Sequence, residues 1–502
     1  MSSARATVAI FLLAACFAAL GAAQAAENLR PEWSVGQDQV SPELLKVTPP
    51  PPAPSELIVT DAVDFALRRN IGFRGTIQNL LVQRSALYVT LQRWNLTLNG
   101  SVDRAKSDSG TATEYSAGGS FFYTGVTGAS FSVSSELQKL DSVEKAETVA
   151  ASLSQPLLAG SFKASAAYEA VRQARNNYRA ALLSYFISRQ DLIVSVLSAY
   201  FDAVESGQLV GIQESSVRLA EQAVTDARLR LEAGLIAEID LTRAELQLSQ
   251  SQAALVSARQ SEQDAVDQLL LLLGLQVGGR PKLATTVEYK PVEFSADTTV
   301  AAALQRRPEI RLAELSIEDL EAALRINRSQ RLPTLDLVGA FQRTGDGTTD
   351  KTWSLGLQAS VPIASRALTE AVRQANWALL VSQQEREDLK QQVTADVRSQ
   401  VHAADAARAN VDIAAKGLEV AQRSFQIAGR MVEEGLATNR DLLDAQNALA
   451  TSGTSLVTGK INYYLATVRL KRSMGVDVGT ELPAGRAETP AAGGAGAEVG
   501  GK

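Results

Sequence analysis

A single cysteine, a single histidine and a 5% aromatic content are the scarcities of this 502-residue chain. With Cys16 as the only thiol, no disulfide can close within the chain, and past it no thiolate can hold a metal. The one histidine, His402, lies in a helical tract among Ala and Asp, where a solvated or tunnel-facing side chain is expected. There is no G-x-S-x-G elbow and no phosphate-cradling glycine loop ahead of a helix. The glycines of "GGAGAEVGG" belong to a low-complexity end, and the carboxylates are many but scattered. No catalytic residue, metal or cofactor is therefore expected. A formal net charge of −6 without a basic stripe argues against nucleic acid as a partner. Past the N-terminus no run of about 18 apolar residues stands out, so any entry into a membrane should use strands.

The apolar 45% of the chain is mostly Ala, Leu and Val, which suits long helices better than a large globular core. The N-terminus reads as an export signal over 1–25: Arg5, the apolar run "VAIFLLAACFAALGAA", and Ala23-Gln24-Ala25 as a cleavage site. A rival cut lies at "LAAC", a lipobox-like stretch that would leave Cys16 lipidated, although the apolar run continues beyond it. Residues 26–55 form a Pro-rich linker ending in "TPPPPAP", where successive prolines favour polyproline II. Residues 479–502 are an Ala/Gly/Pro-rich tail of disordered composition.

Between linker and tail one plan occurs twice, over 56–280 and 281–478. Each copy opens with helices, "LIVTDAVDFALRRN" (57–70) and "TTVAAALQRRPEI" (298–310), with Thr60 and Thr298 or Thr299 as expected N-caps. After a second helical stretch come alternating strands at 93–102 and 333–342. Returning strands follow at 148–160 and 353–365, closed by Pro156 and Pro362. Then come proline-free helical tracts at 163–232 and 367–433, each about 100 Å long at 1.5 Å per residue. A heptad runs through both. Val196, Ala203, Val210, Val217, Val224 and Leu231 recur as Val397, Ala404, Val411, Leu418, Phe425 and Val432, displaced by 201 positions. A sustained seven-residue period keeps an apolar seam on the neighbouring helix, which predicts coiled-coil hairpins.

The hairpin turn is the closest internal repeat: "EAGLIAEIDLTRAELQL" (232–248) against "EEGLATNRDLLDAQNAL" (433–449). Gly234 and Gly435 fit the left-handed position that ends a helix. Asp240 and Asp441 fall in the first turn of the return helix, where a carboxylate meets the positive end of the dipole. Thr438 with Asp441 resembles a capping box with Asp in place of Glu.

This order of elements, with "LSQPLLAG" (153–160), "ALQRRPEI" (303–310), "VPI" (361–363) and two G-L-x-x-x-x-D-L turns, resembles the TolC-like outer-membrane efflux protein family. The likeness covers nearly all of 57–475. It implies a mixed α and transmembrane β fold: a homotrimer whose chains give four strands each to a twelve-stranded β-barrel in outer-membrane lipid. A coiled-coil α-helical barrel would continue the tube across the periplasm. The expected function is a passive exit duct of a tripartite efflux or type I secretion system. A periplasmic adaptor (membrane fusion protein) would dock at Gly234-Leu235 and Gly435-Leu436, and an inner-membrane pump would supply the energy. Asp240, Asp441 and Asp444 match the family's tunnel-entrance aspartates, nine carboxylates in a trimer that would favour cations. The competing reading is helix capping alone. The family's Tyr and Arg that help to close the entrance are replaced by Val432 and Ala437. Trp94 and Trp353, at strand starts, suit either an interfacial girdle or a core. Copy one has extra chain, 115–137, reading as a hairpin at "TGVTG". It would lengthen the strands, project as a loop or add strands. The alternative function is a periplasmic coiled-coil structural or adhesion protein without a pore.

Overall fold

The structure, a computed structural model, describes residues 49–92, 94–107, 110–140, 146–234, 237–283, 289, 291–346, 348–363, 365–434 and 439–480. Cys16, the export signal, most of the linker and the tail lie outside them, as do Leu235, Gly435, Leu436, Ala437 and Thr438.

In chain order the elements are β1 (Glu56–Leu57), α1 (Val59–Arg69), α2 (Ile71–Leu91), β2 (Trp94–Ser107), β3 (Gly110–Thr124), β4 (Ser130–Leu140), β5 (Ala146–Pro156), α3 (Ala166–Glu232) and α4 (Glu238–Leu273). Then follow β6 (Lys282–Leu283), α5 (Ala296–Arg306), α6 (Pro308–Ser329), β7 (Thr334–Asp346), β8 (Thr348–Ser360), α7 (Arg366–Glu433) and α8 (Asn439–Ser473). Spatially the described residues make two compact units, one within 77–185 and 309–389, the other within 49–76, 186–308 and 390–480, so each unit takes material from both repeats.

The first unit holds one antiparallel sheet in the order β2-β3-β4-β5-β7-β8. Segment 115–137 therefore adds strands, the third of the three alternatives, and one chain supplies six strands where the resemblance implies four. The new turn is anchored. The Ser165 hydroxyl donates to the Val126 carbonyl at 2.6 Å, and the Phe162 N–H to the Thr127 carbonyl at 3.1 Å. Gly128 has φ +90°, and a Cβ there would lie 2.9 Å from Pro156 Cγ, so only glycine fits. Beneath the sheet, Asp319 on α6 accepts from Arg172 Nη1 and Asn176 Nδ2 on α3, both at 2.7 Å. The Arg172 bond to Glu169 raises its pKa most, and the bond to Asp319 adds to it, against the lowering effect of burial.

In the second unit the repeat is visible contact by contact. The return helices end at Gly274 (φ +67°) and Gly475 (φ +72°), and a Cβ at either would sit 3.0 Å from backbone of Arg69 or Arg306, where α1 and α5 end. The next residue in each copy reaches back to the return helix: Asn70 Nδ2 donates to the Leu272 carbonyl at 3.0 Å, and Arg307 Nε to the Ser473 carbonyl at 2.5 Å. Leu272 and Ser473 are again 201 positions apart. β1 pairs in parallel with β6, and Tyr200 Oη donates to the Leu57 carbonyl at 2.9 Å. The heptad positions Val196, Ala203, Val217, Val224, Val397, Ala404 and Val411 are buried, as the seam requires.

Three expectations need correcting. α1 starts at Val59 and α5 at Ala296, so Thr60, Thr298 and Thr299 lie inside the helices. The hydroxyls of Thr298 and Thr299 bond backwards to the Ser295 carbonyl instead of capping. Trp353 is the sixth residue of β8 and not its start. Neither Trp is in a core, Trp94 being 38% and Trp353 77% exposed. Lastly, α3 does hold an 18-residue window apolar enough to cross a membrane, at mean hydropathy 1.3. Of that window 39% is buried within the protein, and Leu192, Ile193, Val196, Leu197, Tyr200 and Phe201 are buried residues of α3.

Candidate functional site

The sheet separates its chemistry by face. In an antiparallel pair the residues directly opposite share a face, so the register carries one set across all six strands. Trp94, Leu96 and Leu98 face Tyr123, Phe121 and Gly119. Phe121 and Tyr123 face Val133 and Phe131, which face Ala151 and Leu153. Ala151 and Leu153 face Phe341 and Gly339, and those face Trp353 and Leu355. The result is a largely apolar face, which ends in Glu147, Arg343 and Lys351 at the strand ends remote from Pro156.

The opposite face is polar. Thr97 and Ser120 share a hydrogen bond at 2.5 Å, Ser101 and Ser116 at 2.8 Å, and Ser132 and Ser152 at 2.7 Å. Asn95, Asn99, Ser134, Thr148, Gln342, Thr352 and Gln358 continue it, with Glu136, Asp336 and Asp350 as its acidic groups and Phe122 as an aromatic exception. Strands of 11 to 15 residues, largely apolar on one side and polar on the other, are long enough to cross a bilayer as a barrel wall. Apart from Trp94 and Trp353, these wall residues were not singled out from sequence. The signal for them was present in "SFSVSSEL" (130–137), where Ser130, Ser132 and Ser134 alternate with Phe131 and Val133.

The second candidate is the pair of helix tips. Gly234 has φ +73° and its N–H donates to the Leu231 carbonyl at 2.9 Å, so α3 ends on the expected left-handed residue. A Cβ there would meet nothing within 4 Å. Asp240 is the third residue of α4 and Asp441 the third of α8, both exposed, and Asp444 is exposed one turn on. Ala237 is the N-cap of α4 with no side-chain bond, so Asp240 meets the dipole without capping it directly. Asp240 lies 3.4 Å from Arg243, and Arg228 ties α3 to α4 through Glu245 at 3.5 Å. Position 243 is the counterpart of Asp444 under the 201-residue displacement. The first tip therefore sets a cation where the second has Asp444. Val432 is a residue of α7; Leu235, Gly435, Leu436, Ala437 and Cys16 have no described structure.

Elsewhere the charged groups serve packing. Burial alone would push the Asp477 carboxyl up. Bonds from Gln190, Arg189 and the Gly479 N–H overcome that and hold it below its ordinary value. His402 is exposed on α7. Among the described residues no group of three His, Cys, Asp or Glu converges to hold a metal.

With this geometry in place, comparison with known proteins is informative. The family model described as "Outer membrane efflux protein" matches residues 92–275 and 299–476. Alkaline protease secretion protein AprF of Pseudomonas aeruginosa is 25% identical over 342 residues, 64% of this chain and 71% of that protein. Outer membrane efflux protein BepC of Brucella suis is 26% identical over 320 residues, 60% of this chain and 69% of that protein. The crystal structure of the Campylobacter jejuni CmeC outer membrane channel superposes with a TM-score of 0.64 at 16% identity, covering 83% of this chain and 85% of that one.

Proposed function

From the premise that this chain belongs to the outer membrane efflux protein family, we propose that three copies form one exit duct through outer membrane and periplasm. The protein is an outer-membrane export channel and not an enzyme. The observation that supports the assembly is the sheet. Its apolar face suits lipid, its Ser/Thr-laced face suits water, and its edge strands β2 and β8 each have one neighbour. An open edge inside a membrane leaves backbone N–H and C=O groups unpaired at a cost of several kcal/mol each, so β8 of one copy must meet β2 of the next. The same apolar face weighs against a pore-less periplasmic rod.

The helix tips are the periplasmic end. Gly234-Leu235 and Gly435-Leu436 receive the hairpin of a periplasmic adaptor, which holds the duct on an inner-membrane pump. AprF is by name a protease secretion component and BepC an efflux protein, so the duct serves an assembly of one of these two kinds. The tip aspartates Asp240, Asp441 and Asp444 bias the entrance toward cations.

Membrane fractionation followed by electrophoresis with and without boiling tests this reading. The protein is expected in the outer membrane as a band at three times the mass of the processed chain that collapses on heating. A soluble periplasmic monomer would end the proposal. Cysteine crosslinkers placed beside the tips are expected to capture the adaptor.

A further inference from the structure

The sheet adds a property that membership of the family does not bring. We infer that β3 and β4 are wall strands of the barrel, so that three chains close eighteen strands and the outer-membrane pore is correspondingly wide. This rests on the three-copy reading above.

β3 pairs with β2 along its whole length, from Trp94↔Tyr123 to Ser107↔Gly110, and β4 pairs with β5 from Ser130↔Ser154 to Gln138↔Ala146. β2 and β5 are nowhere neighbours, because two strands stand between them. A hairpin projecting above a four-stranded sheet would leave β2 and β5 paired with each other. Here its removal strips both of a partner.

The side chains agree. A projecting hairpin has water on both sides and no reason to alternate. β3 and β4 alternate in phase with the other strands, Phe121, Tyr123, Phe131 and Val133 on the apolar face and Ser116, Ser120, Ser132 and Ser134 on the polar one. The turn between them is also fixed at the helical end of the sheet. Ser165 and Phe162 hold its carbonyls, and Gly128 packs where Pro156 leaves no room for a Cβ. A hairpin whose turn is seated there has its strands running through the membrane and not beyond it.

Width follows from strand number. With strands about 4.8 Å apart and tilted by about 40°, eighteen enclose a ring about 36 Å across between backbones, against about 24 Å for twelve. The described polar wall carries Glu136, Asp336 and Asp350 and no Lys or Arg. The exit is thus a wide, hydrated, weakly acidic mouth, and selection by size and charge falls to the helical tips.

Two measurements on the full-length protein test this. Ala117→Cys lies on the apolar face and Ser134→Cys on the polar face, both at exposed positions of the hairpin. In intact outer membranes a water-soluble maleimide should label Ser134→Cys and spare Ala117→Cys until detergent is added. Axial electron-microscopy averages of the purified trimer should show the wider ring. Equal labelling of both cysteines, or a trimer with a ring of about 24 Å, overturns the eighteen-stranded wall and leaves the duct standing. Failure to find any outer-membrane trimer removes both.

Discussion

Two glycines with nearly the same backbone angle should respond very differently to alanine. Gly234 and Gly475 have φ of +73° and +72°. A Cβ in the left-handed region costs about 1–2 kcal/mol wherever it occurs. At Gly234 nothing lies within 4 Å of that Cβ, so strain is the whole penalty. At Gly475 the Cβ would stand 3.0 Å from the carbonyl carbon and oxygen of Arg306, backbone atoms at the end of α5 that cannot rotate away. Overpacking adds about 1–3 kcal/mol, for a total near 3 kcal/mol. Urea unfolding of the purified protein, followed by helical circular dichroism, should show Gly475→Ala far less stable than Gly234→Ala. Asparagine separates the causes. It tolerates left-handed backbone but keeps the Cβ, so Gly234→Asn should be close to wild type and Gly475→Asn should not. Equal losses for the two alanine variants, or rescue of position 475 by Asn, would refute the reasoning. Because Gly234 shapes the tip, Gly234→Val should also impair export and adaptor crosslinking while sparing the trimer.

Other outcomes follow from the charges. Converting Asp240, Asp441 and Asp444 to Asn should reduce cation preference, read as the reversal potential under a salt gradient. An unchanged potential would leave the three as helix-end residues only. Arg307→Met removes a 7%-exposed guanidinium side chain bound to the Ser473 carbonyl and Asp396, and should cost about 2–3 kcal/mol in unfolding free energy. Asp477 is depressed below 3.8, so its contribution is complete above that pH and is lost as acid brings it through its folded pKa. Asp477→Asn should lower stability at pH 7 and flatten the acid limb of the pH–stability curve.

Much of the architecture could be read from period alone. The displaced heptads, the paired G-L-x-x-x-x-D-L turns and the alternating strands each express a backbone geometry that repeats every seven or every two residues. What could not be read depends on partners remote in the chain. Asn70 and Arg307 play one part in the two repeats with different side chains, because what they satisfy is a helix-end carbonyl 202 or 166 residues away. The strand count was missed for a related reason. "TGVTG" announces a turn, but its seat against Pro156 and Ser165 is what turns a loop into a wall. The threonine caps failed because a hydroxyl near a helix start has two local choices, and the Ser295 carbonyl won. At the tips, composition located the aspartates but not the Arg243 beside one of them.

The central claim is a water-filled path through an outer-membrane assembly of this chain. Single-channel recording of heat-sensitive trimers extracted from outer membranes and added to planar bilayers tests it most directly. Discrete, uniform conductance steps with a preference for cations are expected. Trimers that insert into the bilayer and pass no current would contradict it.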